Sequence, residues 1–328
     1  MIVHIGLGKT GTTSLQKAIF PRLVEEGFLE QYNPPHIMKA LWNYVFTGKG
    51  MERLKSDLSA LPEKTLISLE SLAGWNPATW VDNAKKNALI FPETSTIVIT
   101  IRDARSYLTS TYVQLLQQGS ILKPEEFFLP DSEYHALAQL TRPYLCEVFK
   151  VDDFNYKELV ELYSDLFSRV AVVPLARLHN LSFLTSIDLI PENNLKSLCD
   201  SFSKSKKKNI SYSKGAVKLT YARENILSGL GLKTKSSHDF IFENFSDYLR
   251  EPITPWDVKN YSGLKRFWSR FLVVLSWRYL MQNVVDRFFS FEKYRLPEGV
   301  ALGRSFLENE NFYQAIVDTD RGLLLVEK

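Results

Sequence analysis

The chain has few cysteines: only Cys146 and Cys199 occur among its 328 residues. Two thiols so far apart match no metal-ligand spacing. They are also too few for the disulfide framework that holds small secreted domains together. We expect both to be reduced thiols in a reducing compartment, and we expect no metal centre.

The chain also lacks a long apolar run. The longest, Phe271–Met281, is interrupted by Ser276 and Arg278 and falls well short of the about 20 residues that a transmembrane helix needs. The apolar start, Met1–Leu7, is too short for a secretory signal and has no basic leader. These absences predict a cytoplasmic protein without a transmembrane segment, and they leave peripheral contact with a membrane open.

A strong excess of either charge is missing as well, because the formal net charge is only +3 at pH 7. Nucleic-acid-binding proteins normally show a concentrated basic face, so we expect no nucleic-acid partner. A hydrophobic content of 45% in 328 residues supports an extensive core. We expect one domain over residues 1–328, with a less recognisable, mostly helical part from about residue 228.

The most informative segment is a glycine-rich loop that follows a short apolar strand, Ile2–Ile5. Glycines allow positive φ angles and close backbone approach, and a helix should begin near Thr12 or Thr13. Backbone N–H groups at a helix start converge on anions. The residues that could hold a phosphate or a sulfate here are Gly8, Lys9, Thr10, Gly11, Thr12, Thr13 and Ser14.

This loop differs from the phosphate-binding loop of nucleoside triphosphatases. That loop has a glycine five positions before the glycine of its Gly-Lys pair, and counting back from Gly8 reaches Val3, a strand residue. The predicted strand Ile97–Ile101 also ends in Arg102 instead of an aspartate that could hold Mg²⁺. A nucleotide-dependent kinase is therefore the weaker interpretation of the loop.

A second candidate site follows the strand Ile97–Ile101, whose β-branched composition is typical of a central parallel strand. Arg102 lies at its carboxyl end, the edge of an open α/β sheet where ligands bind. Ser110 comes eight residues later, about two turns into the next helix, and can face the same ligand. An arginine fork and a serine hydroxyl suit a phosphate.

A possible general base follows another predicted strand, Leu66–Leu69. Glu70 falls where this strand ends, and a carboxylate there can take a proton from an attacking hydroxyl. The alternative role for Glu70 is a helix N-terminal carboxylate that complements the helix dipole. His36, in a predicted loop beside Pro34 and Pro35, is the reserve candidate for the base.

In this order, the motifs resemble those of sulfotransferases that use 3'-phosphoadenylyl sulfate (PAPS), in particular the carbohydrate-type, bacterial-like members. From Lys9 onward, the order lysine, any residue, glycine, threonine, threonine resembles their loop for the 5'-phosphosulfate. Arg102 and Ser110, with Tyr112 nearby, resemble the residues at the cofactor's 3'-phosphate, and Glu70 resembles the carbohydrate-type base. The loop departs from the usual family pattern at Gly8, where Pro or Arg is common. The resemblance covers roughly residues 1–225.

The resemblance implies an α/β fold, a P-loop-like three-layer α/β/α sandwich with a central parallel sheet. The strands expected in this sheet are Ile2–Ile5, Leu66–Leu69, Ile97–Ile101 and Val170–Pro174.

It also implies an activity: transfer of a sulfuryl group from PAPS to a hydroxyl of a saccharide, glycolipid or polysaccharide acceptor. Lys9 would neutralise the charge of the leaving phosphate and Glu70 would deprotonate the acceptor. The product would be adenosine 3',5'-bisphosphate, and no metal is required. A catalytically inactive nucleotide-binding protein is the non-enzymatic alternative.

Two later segments of the chain are also informative. The basic run from Ser203 to Gly215 is either a solvated loop or, by the resemblance, a loop whose Lys214 and Gly215 close over the 3'-phosphate. Tyr261–Phe291 carries Trp, Phe and Arg at helical spacing, which favours a helix packed on the core.

Overall fold

The computed structural model describes residues 1–138, 148–204, 212–232, 277–289 and 292–328. Cys146, most of the basic run before Lys214 and most of Tyr261–Phe291 lie outside the described residues.

A six-stranded sheet forms the centre of the described fold, in the order β2–β3–β1–β4–β7–β8. All neighbouring strands in it are parallel except β7 and β8, which are antiparallel. Two further strands, β5 and β6, pair in parallel in a small second sheet. The strands are β1 (Ile2–His4), β2 (Gln31–Tyr32), β3 (Thr65–Ser68), β4 (Thr96–Ile101), β5 (Phe128–Leu129), β6 (Phe149–Lys150), β7 (Arg169–Pro174) and β8 (Leu324–Glu327).

Helices connect these strands. A π-helical turn, Leu15–Ile19, joins α1 to α2, and another, Met281–Val285, joins α13 to α14. The helices are α1 (Thr12–Ser14), α2 (Phe20–Glu25), α3 (Pro35–Thr47), α4 (Met51–Ser59), α5 (Trp80–Ile90), α6 (Ala104–Gln117), α7 (Pro124–Phe127), α8 (Asp131–Ala138), α9 (Tyr156–Leu166), α10 (Phe183–Ser186), α11 (Glu192–Lys204), α12 (Lys214–Gly229), α13 (Trp277–Leu280), α14 (Asp286–Phe288) and α15 (Phe306–Val317).

The central strands are buried on both faces. On β4, Ile97, Ile99 and Ile101 pack in one hydrophobic cluster, while Val98 packs in a second. Because successive side chains of a strand point to opposite faces, the two clusters lie on opposite sides of the sheet. This explains why the parallel strands are almost continuously apolar.

The four predicted strands are present, each within one residue of its expected bounds. The segments predicted as Ile2–Ile5, Leu66–Leu69, Ile97–Ile101 and Val170–Pro174 form β1, β3, β4 and β7. The sequence analysis did not identify β5 and β6 of the small sheet or two strands of the central sheet, β2 and β8. Of these, β2 has only two residues and β8 is an antiparallel edge strand, for which the chain returns to the sheet near its end.

No helix in the described ranges is long and apolar enough to cross a bilayer. Within the same ranges, no three His, Cys, Asp or Glu side chains are grouped so that they could hold a metal ion.

Gly6, directly after β1, lies very close to two neighbouring side chains. A Cβ atom at this position would lie 2.2 Å from Thr100 Oγ1 and 2.6 Å from His4 Nε2. Both side chains are fully buried, and the His4 ring also contacts Ser68 Oγ at 2.7 Å through Nδ1. Only glycine fits between them, so the loop leaves β1 close to β4.

We predict that Gly6→Ala lowers the free energy of unfolding by about 1–3 kcal/mol, because the added methyl group overpacks a buried site. Chemical denaturation followed by circular dichroism measures this. The matched control is Gly229→Ala, where the new Cβ meets nothing within 4 Å. It should leave stability unchanged or raise it by up to about 1 kcal/mol. Equal stability of the two variants would contradict the close approach at Gly6.

Candidate functional site

Three strand ends bring the candidate site together. His4 on β1 is in register with Ser68 on β3 and with Val98 on β4. Because the three strands are parallel neighbours, the segments that follow them leave from one edge of the sheet. These segments carry the glycine-rich loop, Glu70 and Arg102, so the fold collects the predicted site residues at this edge.

The loop has a backbone conformation suited to anion binding. Lys9 has a φ of 67° and Gly11 a φ of 90°, both in the left-handed region. Gly11 starts the helix, and its carbonyl accepts the Ser14 N–H at 2.9 Å. A side chain at Gly11 would collide with Leu178, since its Cβ would lie 2.5 Å from Leu178 Cδ2.

The backbone N–H groups of this loop remain available. In the described part of the chain, no hydrogen bond uses the N–H groups from Gly8 to Thr13. The Thr13 and Ser14 side chains are partly exposed in the same turn. The arrangement therefore offers successive amide donors and hydroxyls at a helix start, which is the geometry expected of an oxyanion site.

The Thr10 hydroxyl has a different position from the one we expected. It is buried, donates to the Leu7 carbonyl and accepts a hydrogen bond from Thr100 Oγ1 at 2.6 Å. The side chain of Thr10 therefore fastens the loop to β4, and only its backbone N–H is left for a ligand.

Lys9 and Glu70 interact across the loop. The pKa of the Lys9 ammonium is lowered to about 8, mainly because burial disfavours the charged form; Arg278 lowers it further and Glu70 raises it. Burial raises the pKa of the Glu70 carboxyl, although a hydrogen bond with Thr12 and the charge of Lys9 act in the opposite direction. A Cβ on Gly8 would lie 3.7 Å from Glu70 Oε2, so the carboxylate lies directly beside the loop.

Arg102 links the two predicted halves of the site. Its Nη1 donates to Ser110 Oγ at 2.6 Å and to the Lys9 carbonyl at 3.3 Å. The first contact is the pairing that the eight-residue spacing predicts. The second was not anticipated, and it ties the guanidinium to the glycine-rich loop.

Tyr112, in contrast, lies in a separate hydrogen-bond network. Its hydroxyl is bonded to Tyr221 and donates to the Leu122 carbonyl at 2.7 Å. The side chain is fully buried among aromatic rings. Tyr112 therefore stabilises the core around α6, and its hydroxyl is already used.

The residue that the sequence analysis missed is Tyr156, at the start of α9. Its buried hydroxyl donates to the Arg102 carbonyl at 2.7 Å, and its N–H donates to Asn309 Oδ1 at 2.7 Å. The C-terminal helix α15 thus supports the Arg102 segment through Tyr156. The only signal in the sequence was an aromatic residue at a helix start, which by itself indicates core packing.

His4 and His36 differ in burial. His4 is fully buried beneath the loop, and burial lowers its pKa to about 3, so it is neutral at physiological pH. The prediction of a loop at His36 was wrong: His36 is exposed in the first turn of α3, because Pro35 is well suited to the first position of a helix. Glu70 is therefore the candidate base that the structure brings to the loop.

Lys214 and Gly215 begin helix α12, which Ser213 caps by accepting the Ala216 N–H at 3.1 Å. The Lys214 ammonium lies 3.8 Å from the Glu292 carboxylate. The backbone N–H of Lys214 donates to the Glu292 carbonyl at 2.8 Å. Among the described contacts, none joins Lys214 to the glycine-rich loop. The cation that does influence Lys9 from this side is Arg278 on α13.

Comparison with known proteins yields no match: no family model, no curated protein and no solved structure is similar to this chain. The function therefore has to be argued from the geometry of the site.

We predict that Glu70→Gln lowers the pKa of Lys9 below its value of about 8, because it removes the neighbouring negative charge that raises that pKa. Acetylation of Lys9 at a series of pH values, quantified by mass spectrometry, measures this. The acetylation rate of the exposed Lys55 on α4 serves as the internal control and should not change. A Lys9 titration that is identical in both proteins would contradict the interaction of Lys9 with Glu70.

Proposed function

We propose that this protein is a PAPS-dependent sulfotransferase with a P-loop-like α/β/α sandwich fold. One observation carries the proposal: Arg102 contacts both Ser110 Oγ, at 2.6 Å, and the Lys9 carbonyl, at 3.3 Å. Two anion-binding elements that resemble those of sulfotransferases are therefore in direct contact. A ligand with anionic groups at two separate positions, such as adenosine 3',5'-bisphosphate and its sulfated form, suits this arrangement.

The donor set supports this ligand. Amide N–H groups of the loop together with Lys9 suit the 5'-phosphosulfate, while Arg102 and Ser110 suit the 3'-phosphate. PAPS supplies an activated sulfuryl group. The residues present are mainly hydrogen-bond donors and cations, which is what a cofactor with several negative charges requires.

The chemistry then depends on charge and position. The acceptor oxygen forms a bond to sulfur while the bond between sulfur and the phosphate oxygen breaks. Lys9, when protonated, stabilises the charge that develops on that phosphate. Glu70 takes the proton of the acceptor hydroxyl, and its raised pKa makes it a better proton acceptor than an exposed carboxylate. The acceptor class proposed is a hydroxyl of a saccharide, glycolipid or polysaccharide.

We predict that the protein binds adenosine 3',5'-bisphosphate in the absence of a metal, and that Arg102→Ala weakens this binding at least tenfold, because a charge-assisted contact is worth about 1.5–3 kcal/mol. Isothermal titration calorimetry measures this. The matched control is Arg105→Ala, since the Arg105 guanidinium lies over the Phe306 ring, 5.3 Å from its centroid. Preference for ATP with Mg²⁺ would instead favour the kinase interpretation.

We predict that Glu70→Gln reduces transfer about 10²- to 10⁴-fold, the usual contribution of a general base. Release of adenosine 3',5'-bisphosphate from PAPS, in the presence of mixed saccharide acceptors, measures turnover. Affinity for the bisphosphate should stay within a few-fold of the wild-type value. Undiminished turnover would exclude Glu70 as the base and make His36→Ala the next variant. A protein that binds the bisphosphate but never turns over PAPS would support an inactive nucleotide-binding protein.

A further inference from the structure

The helical segment from Trp277 to Phe288, made of α13, the π-helical turn and α14, is apolar on two faces. Its inner face packs on the core through Met281 and Val285, which are both buried. Its outer face carries Leu280, Val284 and Phe288, and Phe288 is 73% exposed. A helix that packs on a globular core normally has a polar outer face. The outer face of this segment therefore combines apolar side chains with the exposed Arg278, Asn283 and Arg287.

The segment is held firmly in this orientation. Trp277 Nε1 donates to Thr220 Oγ1 at 2.9 Å, and the Arg223 guanidinium lies over the Trp277 ring, 5.1 Å from its centroid. At the other end, the Ser213 N–H lies 3.3 Å from an Asp286 carboxylate oxygen. These contacts with α12 and the residue before it fix the helix at both ends, so its outer side chains are presented on a rigid support.

The partner helix α12 also exposes apolar side chains beyond this contact. Ile226 is 64% exposed and Leu230 is 68% exposed. Ile226 lies in the last turn of α12, and Leu230 directly follows the helix. Exposed apolar side chains therefore occur both on the segment from Trp277 to Phe288 and at the C-terminal end of α12.

The charges on this segment indicate the chemistry of the partner. Arg278 and Arg287 are exposed, whereas the acidic Asp286 is partly buried against the Ser213 N–H. Exposed apolar side chains flanked by cations are typical of helices that lie in the interface of an anionic bilayer. In a symmetric dimer formed through the same face, each copy would bring its own Arg278 and Arg287 towards the cations of the other, which is unfavourable.

We propose that the outer face of Trp277–Phe288 docks on the surface of an anionic lipid bilayer. Leu280, Val284 and Phe288 insert among the lipids, and Arg278 and Arg287 contact the headgroups. Helix α12, on which this segment packs, bonds through Tyr221 to Tyr112 on α6, and α6 also carries Ser110, so the docked surface and the candidate site share one helical support. If the proposed transferase function holds, this position favours an acceptor that is itself anchored in the bilayer, such as a glycolipid.

Co-sedimentation of the full chain with vesicles tests the docking. Vesicles of phosphatidylcholine with phosphatidylglycerol are compared with vesicles of phosphatidylcholine alone. We expect binding to the anionic vesicles, and we expect Leu280→Ser combined with Phe288→Ser to weaken it by about tenfold or more. Arg287→Ala should weaken binding to the anionic vesicles only. The matched control is Val81→Ser combined with Leu89→Ser on α5, where both side chains are 51% exposed.

Three results would overturn the proposal. The first is absence of binding to the anionic vesicles. The second is equal loss of binding in the test and control variants. The third is a dimer, seen by light scattering, that the Leu280 and Phe288 changes dissociate, which would assign the face to a second copy of the chain. Calorimetric titration of the same variants with adenosine 3',5'-bisphosphate reports on the nucleotide site separately, so failure of one proposal is distinguished from failure of the other.

Discussion

The hydrogen bond between the hydroxyls of Thr10 and Thr100 is the contact on which the rest of the site depends. It joins the glycine-rich loop to the central strand β4 in a fully buried position. Lys9, the residue before Thr10, adopts a left-handed conformation that costs free energy in a residue with a Cβ. The fixed position of Thr10 helps to offset this cost. Arg102 lies two residues after Thr100 on the same chain segment, so one strand determines where both the glycine-rich loop and Arg102 lie.

The electrostatics of the site follow from partial burial. Lys9 and Glu70 are neighbours, yet each is shifted towards its neutral form because removal from water costs more than their mutual attraction returns. Arg102 and Arg278 add positive charge around Lys9, which weakens its hold on its own proton. A bound polyanion would reverse this balance and favour the protonated lysine. The site thus gains most from a ligand with several negative charges.

Part of the support for this site comes from the end of the chain. Helix α15 contacts three segments that follow strands: Asn309 bonds to Tyr156, Glu310 accepts the Arg105 N–H at 2.9 Å, and Tyr313 accepts the Ala176 N–H at 3.2 Å. Asn309 supports Arg102 through Tyr156, and Glu310 holds the neighbouring Arg105. Residues far apart in sequence therefore set the position of a side chain whose local motif contains none of them.

The sequence by itself determined the four main parallel strands, the glycine-rich loop and the pairing of Arg102 with Ser110, because apolar composition and helical spacing act over a few residues. It could not determine that the Thr10 hydroxyl is buried against Thr100, since that requires the register between β1 and β4. Nor could it assign Tyr112 to the core or Tyr156 to the Arg102 carbonyl. Only tertiary structure decides between such chemically equivalent side chains, because the difference depends on which buried groups remain to be paired once the strands and helices have packed.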